Sequence, residues 1–218
     1  MERGKKMLFK DRLEAGKLLA QKLLMYKGAD DLLILGIARG GVLVAAEVAQ
    51  ELGAVFSTIV VRKVGAPSNE ELALGAVSES GEGVFNENLI AIFEVTKEYL
   101  AKEVHKEKLI AQQRASLYRT SVPLADTRHK KIILIDDGIA TGASVLAAIK
   151  TIRARGVGKL ILAVPVASEE TLSQLAKEVD EVVCLTSPLF FDAIGSFYRH
   201  FDPVEDEEIV RLIATQKI

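Results

Sequence analysis

Five short apolar runs recur along the chain, at about Leu32 to Ile37, Val55 to Val61, Ile132 to Ile135, Lys159 to Val166 and Glu181 to Thr186. None is long enough for a helix of its own, and turn residues or charges bound them. Such runs read as strands buried on both faces. Between them the apolar residues recur at spacings of three and four. This predicts helices over Phe9 to Tyr26, Val42 to Leu52, Val145 to Arg155 and Ser168 to Glu178, with a short closing helix over Glu205 to Ala214. Strands and helices alternating in this way predict an α/β fold, with a doubly wound, mainly parallel five-stranded sheet.

Two segments break the rhythm. Residues 64–120 interrupt it with a hairpin pattern over Glu71 to Ile92, whose Gly- and Ser-rich tip, Ser78 to Gly83, is expected to be mobile. An antiparallel edge strand on the main sheet is expected from this insertion. A long charged helix follows, Thr96 to Tyr118, with a sparse apolar set of Tyr99, Leu100, Val104, Ile110 and Leu117. A helix this polar packs on one narrow face or bridges to a second copy of the chain, as in a homodimer. The second segment is the tail, residues 187–218. Of 8 Phe and 4 Tyr in the chain, Phe190, Phe191, Phe197, Tyr198 and Phe201 fall between Ser187 and Pro203. The core therefore spans about residues 32–186 of a single domain, with an insertion and a terminal hood.

Composition narrows the field. A length of 218 residues with 49% hydrophobic content supports a real core, and the net charge of −2 offers no basic footprint for nucleic acid. The single cysteine, Cys184, excludes an internal disulfide framework and suits a reducing, cytoplasmic setting; within its apolar strand it reads as a buried thiol. No apolar run reaches a membrane span, and the N-terminal stretch MERGKKMLFKDR lacks the apolar core of a signal peptide. His105 and His129 have no second ligand at metal spacing and read as solvated, whereas His200 sits among the tail aromatics.

Chemistry concentrates after the third apolar run, in Lys131 to Ser144, KIILIDDGIATGAS. A strand is followed by two carboxylates, Asp136 and Asp137, then the small-residue loop Gly138, Ile139, Ala140, Thr141, Gly142, Ala143 and Ser144, then a helix. The unpartnered N–H groups that open a helix favour an anion, Gly142 permits close backbone approach, and Thr141 and Ser144 add hydroxyl donors. Carboxylates repel a phosphate, but they bind sugar hydroxyls or a cation that phosphates share. A sugar phosphate with Mg2+ satisfies both halves. An ordinary turn capped by Thr141 or Ser144 accounts for the loop but leaves the acidic pair without a reason. A second strand–loop–helix site, Arg39, Gly40 and Gly41, follows the first apolar run. It fits neither a dinucleotide fingerprint nor a P-loop. Arg62 and Lys63 leave the second run at the same sheet edge.

The stretch resembles the phosphoribosyl diphosphate (PRPP) signature of the type I phosphoribosyltransferases: four apolar residues, two acidic residues, three variable residues, then Thr-Gly-x-Ser/Thr. Arg39-Gly40-Gly41 is similar to the family's pyrophosphate loop, and Arg62-Lys63-Val64-Gly65 to the opening of the mobile catalytic loop of its adenine-type members. The resemblance implies transfer of a 5-phosphoribosyl group from PRPP to a small nitrogenous acceptor, such as a nucleobase, with release of pyrophosphate. It implies that Asp136 and Asp137 hold the ribose hydroxyls and steady Mg2+, that residues 138–144 cradle the 5-phosphate, and that Arg39, Gly40, Gly41 and Lys63 hold the diphosphate. The hairpin would close over the site. A hood of Phe190, Phe191, Phe197 and Tyr198 would stack the base. Ala140 stands where hypoxanthine–guanine enzymes carry a proton-exchanging Asp, so 6-oxopurines are expected to be poor substrates. A non-catalytic PRPP- or nucleotide-sensing regulator of the same fold is the rival reading.

Overall fold

The structure is a computed structural model and describes residues 8–67, 69–119 and 127–215; residues 1–7, most of the polar N-terminal stretch, lie outside them. In chain order the elements are α1 (Arg12–Lys22), β1 (Leu32–Ile37), α2 (Gly40–Leu52), β2 (Val55–Ile59), β3 (Val61–Ala66), β4 (Asn69–Ser78), β5 (Gly83–Phe85), α3 (Glu87–Ile92) and α4 (Lys97–Tyr118). There follow β6 (Lys131–Ile135), α5 (Ala143–Arg153), β7 (Lys159–Val166), α6 (Glu169–Leu175), β8 (Glu181–Thr186) and α7 (Asp206–Thr215).

The five apolar runs form one parallel sheet in the order β2-β1-β6-β7-β8. Its central strands are buried on both faces, which is why they read as continuous apolar runs. One core joins β1 and β6 to α1, α2, α4 and α7. The other joins the opposite face to α5, α6 and residues of β3 and β4. The helices after the neighbouring strands β1 and β6 therefore lie on opposite faces, and a crevice opens between the carboxyl ends of these two strands.

Several expectations need correction. The first helix is shorter than Phe9 to Tyr26: Asp11 caps it, accepting from Glu14 N, and a 3-10 turn follows at Leu24–Tyr26. Phe9 instead pairs with Tyr198 in an isolated parallel bridge. The second apolar run is two strands, not one. It breaks at Val60, whose N–H donates to the Glu79 carboxylate (3.0 Å), and Val61 begins a separate three-stranded antiparallel sheet, β3-β4-β5. No edge strand joins the main sheet from this insertion among the described residues. The expected hairpin ends at Phe85, where Asn86 caps α3. Its tip is held in place: Glu79 is buried and paired with Arg119 and with Arg155 (3.8 Å), while the Ser78 hydroxyl donates to Glu82 (3.1 Å). In α4 the expected apolar set stays half-buried or exposed. The buried line runs through Glu107, Ala111, Ala115 and Tyr118, because small alanines let the helix approach where larger side chains would hold it off. Cys184 is only partly buried and donates to the Thr186 carbonyl (3.2 Å).

Candidate active site

The loops after β1 and β6 meet at the crevice, and two glycines allow it. A Cβ on Gly40 would lie 1.9 Å from Asp137 Oδ2, and one on Gly41 would lie 2.8 Å from the Asp136 Cα. Residues 40 and 41 must therefore lack side chains for the acidic pair to pack against the start of α2. The Ala38–Arg39 peptide before them is cis.

The pair is built asymmetrically. Asp136 Oδ1 accepts from the Asp137 N–H at 2.9 Å. Asp137 Oδ2 accepts from Arg12 Nε at 2.7 Å, both residues being buried. Its main-chain carbonyl accepts from the Tyr198 hydroxyl at 2.6 Å. Burial, and then the charge of Asp137, push the Asp136 carboxyl well above the usual carboxylate range. Burial also raises Asp137, against the opposing pull of Arg12. Two carboxylates held at such a disadvantage point to a site that binds something. Their free oxygens are hard donors and fit Mg2+, which takes one or two carboxylates and completes its shell with water and substrate phosphates. No larger metal-ligating cluster exists among the described residues.

The loop beyond the pair is anchored on both sides. Ile139 is buried, its N–H donating to the Val166 carbonyl (2.9 Å), and the Ala140 carbonyl accepts from the Thr171 hydroxyl (2.8 Å). Gly142, at φ 77°, is the N-cap of α5, and no side chain caps the helix. Neither Thr141 nor Ser144 serves as the cap that an ordinary turn would use. The open N–H groups of α5 are thus left beside the acidic pair, with the exposed Thr141 next to them.

The cations divide. Arg39 lies 3.9 Å from Asp206 at the start of α7. Arg62 donates from Nε to Glu107 at 2.7 Å. Lys63 forms no ion pair among the described residues. It lines a cavity of about 370 Å³ with Ala38 and Ser144, and a second of about 660 Å³ with Thr141, Gly142 and Ala143. Arg62 and Lys63 both belong to β3 rather than to a loop. Of the three cations, Lys63 is thus the one placed between both loops with no carboxylate partner among the described residues.

The hood expectation fails for two of its four rings. Phe197 and Tyr198 are buried, Phe197 stacking on Phe191 (5.4 Å) and Tyr198 on Phe201 (4.9 Å), and they fasten the tail to Phe9. Phe190 is 93% exposed. Only Phe191 faces a cavity near the loop, one of about 930 Å³ shared with Ala140, Thr141, Glu169, Glu170 and Asp192. His105, His129 and His200 are all exposed. Arg12 has no counterpart among the sequence-predicted site residues. Its signal was a cation on the buried line Arg12, Ala15, Gly16, Leu19 of an otherwise amphipathic helix.

Comparison with known proteins gives the same family. A Mycobacterium tuberculosis protein described as a "putative phosphoribosyl transferase" is 38% identical over 206 residues, which cover 94% of this chain and 46% of that protein. The chain thus spans about half the length of the curated relatives it matches. The crystal structure of TT1426 from Thermus thermophilus superposes with a TM-score of 0.78 at 40% identity, covering 95% of this chain and 98% of that one. Residues 7–199 match the model of the phosphoribosyl transferase domain, and the chain belongs to that family.

Proposed function

We propose that the chain transfers the 5-phosphoribosyl group of PRPP to a nitrogen acceptor and releases pyrophosphate. The observation that carries this reading is the uncapped start of α5 at the end of the loop that leaves the acidic pair, in which Asp137 is buried and Asp136 half-buried. An anion and a polyol or cation are wanted within one crevice, and a sugar phosphate supplies both. In the reaction the acceptor nitrogen's lone pair forms a bond to ribose C1. The C1–O bond breaks, its electron pair leaves with the diphosphate, and the nitrogen gives up a proton. Charge gathers on the diphosphate while the ribose becomes cation-like, so the protein's work is positioning and electrostatics.

Residues 138–144 and the α5 N–H groups hold the 5-phosphate. Asp136, with Asp137 beside it, takes the ribose hydroxyls. Lys63 reaches the diphosphate from β3, and Gly40 and Gly41 let it approach the backbone. Arg39 joins once its guanidinium leaves Asp206. Mg2+ held at the acidic pair would neutralise charge on the leaving group. The cavity beside Ala140 takes the acceptor. It carries Glu169, Glu170 and Asp192 and no Lys or Arg, so it suits an acceptor rich in N–H donors and disfavours an anionic one. Ala140 has no proton to exchange with a 6-oxopurine.

The test is pyrophosphate release from PRPP and Mg2+ with a panel of bases, against Asp136→Asn. Base-dependent release that the variant loses is the expected result. Rapid turnover of hypoxanthine would defeat the acceptor assignment. PRPP binding without release under any base would replace the transferase by a sensor.

A further inference from the structure

We infer that Arg12, in the first helix, is a positioning residue for PRPP: it splits the acidic pair into one compensated carboxylate, Asp137, and one that faces the substrate, Asp136. The inference rests on the function proposed above and assigns part of that site to a residue 125 positions away in sequence.

Four contacts carry it. Arg12 Nε meets Asp137 Oδ2 at 2.7 Å, in a space that a Cβ at position 40 would invade. The guanidinium lies 3.8 Å over the Phe201 ring. Its Nη1 donates to the Asp202 carbonyl at 2.9 Å. The Tyr198 hydroxyl holds the Asp137 carbonyl from the other side. Arg12 is itself buried, and its planar fork is used on two edges and one face, an arrangement that a lysine cannot copy.

The chemistry follows from charge. PRPP is strongly anionic, and two bare carboxylates in the crevice would repel it. With Arg12 on Asp137, the pair presents close to a single negative charge. The bond also fixes the Asp137 backbone, whose N–H orients the Asp136 carboxylate. Removing Arg12 leaves an uncompensated charge beside the substrate and frees the residue whose N–H holds Asp136 in place. A purely structural salt bridge would share the first consequence for stability but neither consequence for PRPP.

The experiment compares wild type, Arg12→Met, Arg12→Lys and Arg12→Met/Asp137→Asn by thermal unfolding and by calorimetric PRPP binding with Mg2+, at a temperature where each is folded. Arg12→Met is expected to melt lower and to bind PRPP roughly tenfold or more weakly, with the acceptor KM unchanged. Arg12→Lys recovers part of the affinity. The double variant restores a single negative charge but not the bond that holds residue 137, so it recovers melting temperature and only part of the PRPP affinity. Wild-type affinity in Arg12→Met, or full wild-type affinity in the double variant, overturns the inference and reduces Arg12 to a structural role. Wild type that binds no PRPP overturns the proposed function as well, so the two failures are distinct.

Discussion

Replacing Glu79 by alanine tests whether the hairpin tip is anchored. Glu79 is 7% exposed, accepts from the Val60 N–H at 3.0 Å, and faces Arg119 and Arg155. Alanine leaves the Val60 N–H without a partner at a residue that is 1% exposed, a loss of about 1–3 kcal/mol. It also strips the guanidinium of Arg119, whose side chain is 15% exposed, of its carboxylate. Breaking a buried pair from one side costs about 3–5 kcal/mol in total. Arg155 is the more exposed partner and adds little. In a chain of this length each kcal/mol lowers the melting temperature by about 2–4 °C, so a fall of roughly 6–20 °C is expected. Glu79→Gln keeps a carbonyl for Val60 and loses only the charge, so its fall should be clearly smaller. Scanning calorimetry of the three proteins decides it. A Glu79→Ala protein melting within about 2 °C of wild type would show that the tip contributes less than about 1 kcal/mol and would refute the anchoring.

Gly40→Ala places a Cβ 1.9 Å from Asp137 Oδ2; the carboxylate must retreat and Arg12 loses its partner, so PRPP affinity measured by calorimetry should collapse despite the better helix propensity of alanine. Gly53→Ala, where a Cβ meets open space but φ is 66°, should cost only about 1 kcal/mol and leave affinity intact. Glu181 accepts from Lys159 (2.7 Å) and Tyr26 (2.5 Å), and these bonds hold its carboxyl below the usual range. A lowered folded-state value means stability that is present above the unfolded pKa of about 4.3 and is lost as pH falls through the folded value. Melting curves from pH 7 to 3 should therefore converge for wild type and Glu181→Gln at the acid end, and a constant gap would contradict this.

The parallel sheet, α2 and α5 were legible because burial on both faces writes itself as apolar runs, and the loop at residues 138–144 because it follows one of them. The break at Val60 was not. Ile59, Val60 and Val61 run on without a charge or turn residue to mark the break, and the strand change depends on a carboxylate 19 residues later. The contact face of α4 was misread because two of its four buried residues are alanines, which carry little hydrophobic signal. The tail aromatics were noticed, but composition does not distinguish a ring that stacks a ligand from one that fastens a chain end. Phe197 and Tyr198 do the latter. Arg39 follows β1 as the sequence suggested, yet its side chain lies against Asp206, a residue of the last helix, which the sequence did not signal.

The contact between Arg12, Asp137 and Asp202 also bears on the order of folding. Its two hydrogen bonds join residues 125 and 190 positions apart, and Phe9 and Arg199 are tied across the same seam. Closing such long loops is entropically unfavourable until the sheet between them has formed. We therefore expect the acidic pair to acquire its final arrangement late, after β1, β6 and β7 have paired. During synthesis from the ribosome, the crevice would stay incomplete until residue 202 emerges. Pulse-labelled hydrogen exchange during refolding checks this: the Phe9 and Arg199 amides should gain protection after those of β1 and β6, and simultaneous protection would refute it.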